Sequence, residues 1–140
     1  MRRDKPTELL AKIPLFSSCS QHQLREIARM LKPVTHHEGK TLCKSGDLGI
    51  GLHIITDGRA RVAIKGRTMA RLEPGDFFGE LALIDGGHRT ADVIAESVVE
   101  TLALSAWSLK TLLRKNPSVA LRMLEELAKR LRSANAQLSD

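Results

Sequence analysis

The glycines of this chain are confined to its middle. All ten lie between Gly39 and Gly87, whereas the first 38 and the last 53 residues contain none. Five of them recur every seven to twelve residues, with short apolar segments between them, at Gly39, Gly46, Gly58, Gly66 and Gly75. This spacing is typical of short strands joined by tight turns. We therefore predict a small antiparallel β-barrel or jelly roll in the middle of the chain.

Two dipeptides in this region have the composition of tight turns. Asp57–Gly58 lies between LHIIT and RARVAIK and suits the positive φ angles of a hairpin. Pro74–Gly75 has the composition of a type II turn. After the first turn, arginine and lysine alternate with three apolar residues, Ala60, Val62 and Ile64, and Ala63 is the one break. This alternation predicts a strand with one buried and one wet face.

The glycine-free flanks carry helix signals. Ser20 and Gln23 have capping-box spacing before an apolar pattern that Pro33 ends, formed by Leu24, Ile27, Ala28 and Leu31. Ser105 can cap a second helix, which ends at Asn116–Pro117 and carries Leu109, Leu112 and Leu113. Asn116 at N-cap and Pro117 at N1 then begin the last helix. Its predicted single apolar stripe consists of Ala120, Leu121, Leu124, Leu127, Ala128 and Leu131, opposite Arg122, Glu126, Lys129 and Arg130.

Composition bounds the class of protein. The 140 residues are 42% hydrophobic and 27% charged, which is typical of one globular domain. No apolar run approaches the roughly 20 residues of a membrane span, and the charged N-terminus is unlike a signal peptide. We expect a cytoplasmic protein. Cys19 and Cys43 are too few for a disulfide framework and are expected to be free core thiols.

The formal charge of +6 makes an anionic partner plausible. Three Phe, one Trp and no Tyr are a poor basis for stacking single-stranded bases. The C-terminal cations could track a phosphate backbone, but a solvated helix face is the favoured interpretation of Lys110, Arg114, Lys115, Arg122, Lys129, Arg130 and Arg132. The adjacent His36 and His37 point to opposite faces if extended, so solvated loop histidines are favoured over a metal site. No nucleophile motif is recognisable, and we expect no enzyme activity.

The stretch from Phe77 to Ala95 carries the most chemistry. Gly79 allows close backbone approach, and the following ELALI could form one helical turn whose free amides suit an anion. The Arg89 guanidinium fits phosphate oxygens, and the Glu80 carboxylate suits a sugar hydroxyl. Together they describe a pocket for a phosphorylated sugar, plausibly a nucleotide. A structural Glu80–Arg89 pair across a turn explains the same spacing about as well.

The same stretch resembles the phosphate-binding cassette of the cyclic nucleotide-binding domain family. The family pattern F-G-E-[LI]-[AS]-L, a variable loop and P-R-[AST]-A-[TS]-V is matched by Phe78, Gly79, Glu80, Leu81, Ala82, Leu83, Arg89, Thr90, Ala91 and Val93. Resemblance extends over nearly the whole chain through Leu15–Phe16, Gly39, Gly46–Asp47, Gly58 and Gly75–Asp76. It implies an α+β fold in which an antiparallel β-roll is flanked by N-terminal and C-terminal helices. The expected divisions are helices in 1–33, the roll in 34–104 with its cassette in 77–92, and lid helices in 105–140.

The resemblance also implies roles for single residues. Glu80 would bind the ribose 2′-hydroxyl, Arg89 would pair with the cyclic phosphate, and amides around Leu81, Ala82 and Thr90 would complete the cradle. Gly79 and Ala91 complete the expected ligand-binding set. The ligand would be cyclic AMP or cyclic GMP, with no metal or other cofactor. Three positions depart from the pattern: His88 replaces a proline, Asp92 a Ser or Thr, and His53 a residue that is usually aromatic.

The implied function is an allosteric sensor. Nucleotide binding in the roll would move the C-terminal helices, which would act on an effector domain or partner protein. Two rival interpretations are a structural module that keeps the fold without a ligand and a small basic nucleic-acid binder. Specific DNA binding is not expected from the sensor.

Overall fold

The computed structural model describes residues 5–43, 51–79 and 91–139 of the chain. The helices are α1 (Lys5–Ala11), α2 (Gln21–Met30), α3 (Ala106–Lys115) and α4 (Pro117–Ser139), with a 3-10 turn at Pro14–Phe16. The strands are β1 (Lys32–His36), β2 (Thr41–Cys43), β3 (Gly51–Asp57), β4 (Ala60–Ile64), β5 (Arg67–Leu72), β6 (Phe77–Phe78), β7 (Asp92–Ala95) and β8 (Val99–Ser105). None of the helices in these ranges is both long and apolar enough to cross a membrane.

The strands form two four-stranded sheets. The first sheet has the order β1-β8-β3-β6 and the second has the order β2-β7-β4-β5. Every pairing between these strands is antiparallel. Helices precede and follow the strands along the chain, so the predicted α+β roll with flanking helices is confirmed.

The first sheet is a wall shared by two hydrophobic cores. On one face, Ile54 and Phe77 pack with residues of the helices and of the Pro14–Phe16 turn. On the other face, Ile55 and Phe78 pack with Leu72 and other residues of the second sheet. This division follows from strand geometry, because successive side chains point to opposite faces. The helical layer and the second sheet therefore pack on opposite faces of the first sheet.

The predicted helix starts are confirmed at Ser20 and Ser105. Ser20 accepts from the Gln23 amide at 3.2 Å, and Gln23 Oε1 accepts from the Ser20 amide at 2.8 Å, which closes the capping box of α2. Ser105 accepts from the Ser108 amide at 3.1 Å at the start of α3. Asn116 precedes α4 as predicted, but its side chain joins other elements: Nδ2 donates to the Leu112 carbonyl, and Oδ1 accepts from Gln23 Nε2.

The prediction of a hairpin at Asp57–Gly58 was wrong. Strands β3 and β4 lie in different sheets, so this turn carries the chain from the first sheet to the second. Gly58 has φ +88, as the dipeptide indicated, but its surroundings decide the topology. The hairpin is one turn later, where Lys65 and Gly66 both have positive φ and join β4 to β5.

The β4 alternation is interrupted where the sequence has its break. Pairing with β5 shifts register between Val62 and Ala63. Ala60 and Ala63 are buried, whereas Ile64 is exposed, contrary to the predicted inward position. The unmatched residue is Met69 of β5, so the bulge lies in the partner strand, while the pairing of β4 with β7 stays in register.

Helix α4 does not bury a single apolar stripe, contrary to the prediction. Among its described side chains, α4 fully buries Val119 and Met123. Leu121, Leu124 and Leu131 are exposed to 60%, 62% and 63%. The apolar residues of α4 therefore belong to two faces, and the part of the chain that the structure describes covers only one of them.

Candidate nucleotide site

The structure describes the two ends of the predicted cassette. Gly79 and Ala91 lie within the described residues, and both are half-buried. The other five predicted ligand-binding residues, Glu80, Leu81, Ala82, Arg89 and Thr90, lie outside the described residues, as does His88. The site is therefore defined here by the elements that lead into the cassette and out of it.

Two buried phenylalanines hold the start of the cassette. Phe77 and Phe78 form β6, which pairs with Ile54 and His53 of β3 at the edge of the first sheet. Gly79 follows with φ +93, a backbone conformation that glycine adopts at no steric cost. The chain thus leaves the sheet through a left-handed residue directly before Glu80.

The end of the cassette belongs to the other sheet. Ala91 leads into β7, whose Asp92 is opposite Ala63 of β4 and whose Ile94 is opposite Thr41 of β2. Strand β7 lies inside the second sheet, between β2 and β4. The cassette therefore connects an edge strand of one sheet with an internal strand of the other.

An arginine of α4 contacts the strand that precedes the cassette. Arg130 Nη2 donates a 2.5 Å hydrogen bond to the Phe77 carbonyl, and its Cζ lies 4.4 Å from the centre of the Phe77 ring. The side chain is half-buried, so the prediction that Arg130 belongs to a solvated charged face was wrong. A cation over an aromatic face is attracted by the ring quadrupole. The C-terminal helix is thereby joined to the residue two positions before Gly79.

Polar side chains lie in the roll beside Phe78. His53, where the family pattern usually has an aromatic residue, stacks on the Phe78 ring with 5.0 Å between ring centres and 9° between planes. Its Nδ1 lies 3.3 Å from Thr101 Oγ1, and His36 Nε2 lies 3.1 Å from the same oxygen. The Thr101 hydroxyl has one proton to donate, so one of these two ring nitrogens must carry a proton and donate it to Oγ1.

His36 is buried in a strand, contrary to the prediction of solvated loop histidines. Only 6% of its surface is exposed, whereas His37 is exposed on the opposite face of the extended chain. His36 Nδ1 has no hydrogen-bond partner within the described part of the chain. Burial, followed by the nearby Lys40 charge, lowers the pKa of His36. Burial and the Lys40 charge therefore favour the neutral form of the His36 imidazole.

The remaining sequence predictions concern thiols and metals. Cys19 is a free thiol packed against the helical core, as predicted, and its burial raises its pKa. The Cys43 side chain lies outside those described. Within residues 5–43, 51–79 and 91–139, no three His, Cys, Asp or Glu side chains are grouped to hold a metal ion.

The sequence analysis did not predict the contact between Arg130 and Phe77, because helix periodicity does not reveal which strand a long side chain reaches.

Residues 33–116 of the chain match the family described as the cyclic nucleotide-binding domain. Taken with the two-sheet roll, the left-handed glycine and the flanking helices, this match shows that the chain belongs to that family. The matched range contains all of β2 to β8 and α3.

Two relatives and one solved structure illustrate the likeness. The chain is 33% identical over 130 residues to the cyclic AMP receptor protein of Thermus thermophilus, which covers 89% of this chain and 60% of the relative. It is 36% identical over 113 residues to a cyclic nucleotide-gated potassium channel of Rhizobium etli, covering 81% of this chain and 32% of the channel. The crystal structure of the Thermus thermophilus catabolite activator protein superposes with a TM-score of 0.80 at 34% identity, over 90% of this chain and 62% of that one. The chain thus spans less than two thirds of these relatives.

Proposed function

We propose that this chain is a regulatory sensor that binds cyclic AMP, with cyclic GMP as the second candidate. The observation that carries the proposal is the position of the cassette, whose two ends lie on different sheets while an arginine of α4 contacts the strand before it. The name of the Thermus relative, a cyclic AMP receptor, supports the choice of base. Binding alone performs the function, and no bond is made or broken.

The binding roles follow from the chemistry of the cassette residues. Arg89 pairs with the cyclic phosphate, because its planar fork of donors matches two phosphate oxygens. Glu80 accepts a hydrogen bond from the ribose 2′-hydroxyl. Backbone amides around Leu81, Ala82 and Thr90 complete the phosphate cradle, and Gly79 and Ala91 set its ends.

Occupancy is reported through α4. Phe77 lies two residues before Gly79, and its carbonyl accepts a hydrogen bond from Arg130 of α4. A shift of the cassette backbone would therefore alter this contact between the roll and α4. A ligand shifts such an equilibrium only if it binds one arrangement better than the other. The output is an effector domain or partner protein, and the named receptor and channel indicate that different outputs are served by this fold.

The test is isothermal titration of the purified chain with cyclic AMP, cyclic GMP, 5′-AMP and 5′-GMP. We expect stoichiometric binding of the cyclic nucleotides and much weaker binding of the open monophosphates, because the doubly charged open phosphate does not match a cradle built for a singly charged cyclic diester. Equal affinity across the four ligands, or no binding of any, would refute the sensor.

A further inference from the structure

Three polar side chains cross the first sheet on the face that the second sheet covers. His36 lies on β1, Thr101 on β8 and His53 on β3, and we call these three residues the polar row. Phe78 of β6 lies at the end of the row, so each of the four strands contributes one side chain, in the order of the sheet. Phe78 packs in the core between the two sheets, which defines the face. Side-chain contacts thus run from the far edge of the sheet to the start of the cassette.

His36 determines the direction of the hydrogen bonds in the polar row. Its side chain is buried, and its Nδ1 has no hydrogen-bond partner within the described part of the chain. A proton on Nδ1 would therefore be a buried N–H without an acceptor there, and proteins rarely leave such a donor unpaired. A proton on Nε2 is instead donated to Thr101 Oγ1, which lies 3.1 Å away. We therefore assign the proton of the neutral His36 ring to Nε2.

The Thr101 hydroxyl passes this direction on to His53. Because Oγ1 accepts from His36, its own proton can be donated to His53 Nδ1, which lies 3.3 Å away. A neutral His53 that accepts at Nδ1 carries its proton on Nε2. Its ring is held at one edge by the hydroxyl and on one face by Phe78, whose plane is only 9° from its own. The two neighbours together determine the plane and the tautomer of His53.

We propose that His53, oriented by His36 and Thr101, positions the start of the cassette for nucleotide binding. Phe78 directly precedes Gly79, whose φ of +93 takes the chain out of the sheet. Strand β6 has only two residues and lies at a sheet edge, so backbone pairing alone gives Phe78 little support. The stacked His53 ring adds to that support and fixes where the chain enters the cassette. This role rests on the proposed binding of a cyclic nucleotide, because His53 acts on the ligand only through the backbone that follows Phe78.

The first test is the tautomer of each histidine of the polar row, read from the nitrogen chemical shifts of the rings. The whole chain is measured without nucleotide at mildly alkaline pH, where imidazoles are neutral. We expect the His36 and His53 rings to be protonated on Nε2. Thr101→Val removes the hydroxyl but keeps the shape of the side chain, and it should leave His53 as a mixture of both tautomers. Thr56→Val is the matched control, because the Thr56 hydroxyl lies on the same sheet but donates to the Glu100 carbonyl. A His53 protonated on Nδ1 in the wild type, or a His53 tautomer that Thr101→Val does not change, overturns the proposal.

The second test is the affinity for cyclic AMP, measured by titration calorimetry. Thr101→Val should raise the dissociation constant about three- to tenfold, which is the usual net contribution of one hydrogen bond. Thr56→Val should leave the dissociation constant unchanged. His53→Phe keeps a ring on Phe78 and should weaken binding less than His53→Ala, which loses both contacts. The double variant Thr101→Val/His53→Phe should bind no more weakly than Thr101→Val alone, since it leaves neither of these two partners unpaired.

The outcomes separate this role from the proposed function. A wild-type chain that binds no cyclic nucleotide refutes both. A wild-type chain that binds it, together with a Thr101→Val chain that binds equally well, leaves the sensor in place and overturns the role of the polar row. Equal affinities of His53→Phe and His53→Ala would also overturn that role, and this comparison decides if circular dichroism shows that Thr101→Val does not fold.

Discussion

Phe77 and Arg130 are 53 residues apart in the sequence and meet through two contacts at once. The guanidinium covers the ring and bonds to the carbonyl of the same residue, so it fixes both the side chain and the backbone of Phe77. A hydrogen bond to a charged group contributes about 1.5 to 3 kcal/mol, and a partly desolvated cation–π contact contributes about 0.5 to 2 kcal/mol. Lysine could not replace this arginine, because only the planar guanidinium can stack and donate together.

At the residue scale, the first prediction concerns Arg89. We expect Arg89→Ala to lose most nucleotide affinity, by about 2 to 5 kcal/mol, because it removes the cation facing an ionised phosphate. Glu80→Ala should lose less, about 1.5 to 3 kcal/mol, since water partly replaces a carboxylate bonded to a neutral hydroxyl. Arg89→Lys should recover part of the loss, because it keeps the charge without the fork. Titration calorimetry measures these affinities.

Melting of the same variants separates a ligand contact from a structural pair. If Arg89 and Glu80 only pair with each other, both alanine variants lose thermal stability without ligand, and a double-mutant cycle shows strong coupling. An Arg89→Ala protein that binds cyclic nucleotide normally would refute the site assignment.

The second prediction concerns the buried His36. Its pKa is lowered below 6.5 by burial and by Lys40, so the unfolded chain takes up a proton that the folded chain does not. The stability contributed by neutral His36 is fully present above pH 6.5 and is lost as the pH falls from 6.5 towards the lowered pKa. We expect the free energy of unfolding to fall less over this range in His36→Gln than in the wild type.

Denaturant unfolding at several pH values between neutral and mildly acidic provides the measurement. His37→Gln is the matched control, because it removes the exposed neighbour and should retain the pH dependence of the wild type. A His36→Gln protein with an unchanged pH dependence would show that His36 is not held neutral by the fold.

At the scale of elements, the third prediction concerns the turn between the sheets. A Cβ at Gly58 would lie 2.2 Å from the Val98 carbonyl oxygen, and φ there is +88. Gly66 also has positive φ, but no atom of the described residues lies within 4 Å of a Cβ built there. We expect Gly66→Ala to cost about 1 to 2 kcal/mol from the left-handed backbone alone. Gly58→Ala should cost a further 1 to 3 kcal/mol or so, as overpacking does.

Chemical denaturation of both glycine variants measures this difference. Equal free energies of unfolding for the two variants would contradict the prediction, because the close approach of the Val98 carbonyl to Gly58 would then add no cost to the substitution.

The fourth prediction concerns the movement of α4. We expect hydrogen exchange across residues 117–138 to change several-fold when saturating cyclic nucleotide is added, because elements that move come from the less stable end of a fold. Peptides from α2, whose Leu24 and Ile27 are buried in the helical core, are the internal control and should change little. Exchange of α4 that is identical with and without nucleotide would count against the sensor mechanism.

Local sequence signals predicted where helices begin. Contacts between residues distant in the sequence determined which sheet a strand joins and which face of a helix is buried. Ser20 and Ser105 were recognisable as caps because a cap depends on residues three positions apart. The sequence did not show which sheet the strand after Gly58 joins, because a positive φ is compatible with a hairpin and with a crossing between sheets. Likewise, the repeat of leucines in α4 does not reveal which of two faces its own roll covers.

At the scale of the whole molecule, the fifth prediction concerns nucleic acid. The net charge of +6 and the scattered helix cations favour weak, sequence-independent DNA binding. A protein making about six phosphate contacts loses about a thousandfold in affinity between about 50 and 200 mM salt. We therefore expect no measurable binding at physiological salt in fluorescence anisotropy. Sequence-preferring binding that persists there would favour the nucleic-acid interpretation over the sensor.

The family and the roll were predictable because the cassette and the turn glycines are encoded in short, ordered motifs. The side-chain contacts around the cassette were harder to predict from the sequence. The His36–Thr101–His53 contacts join three strands that are adjacent only in the folded sheet, and the single apparent signal was an unusual histidine at position 53. Arg130 gave no sequence signal, since it resembles any other cation on a helix.

The second sheet ends at β5, whose outer backbone groups have no neighbouring strand within the described residues. An open edge of this kind invites another strand to add to it, which is how many proteins begin to aggregate. Here the register shift between Val62 and Ala63 twists the outer hairpin, and the exposed Lys65 and Arg67 place positive charge at its turn, whereas Arg71 pairs with Glu96 at 3.2 Å. Two copies approaching through these edges would repel each other. Concentrated solutions of the protein should therefore remain free of sheet-to-sheet polymers.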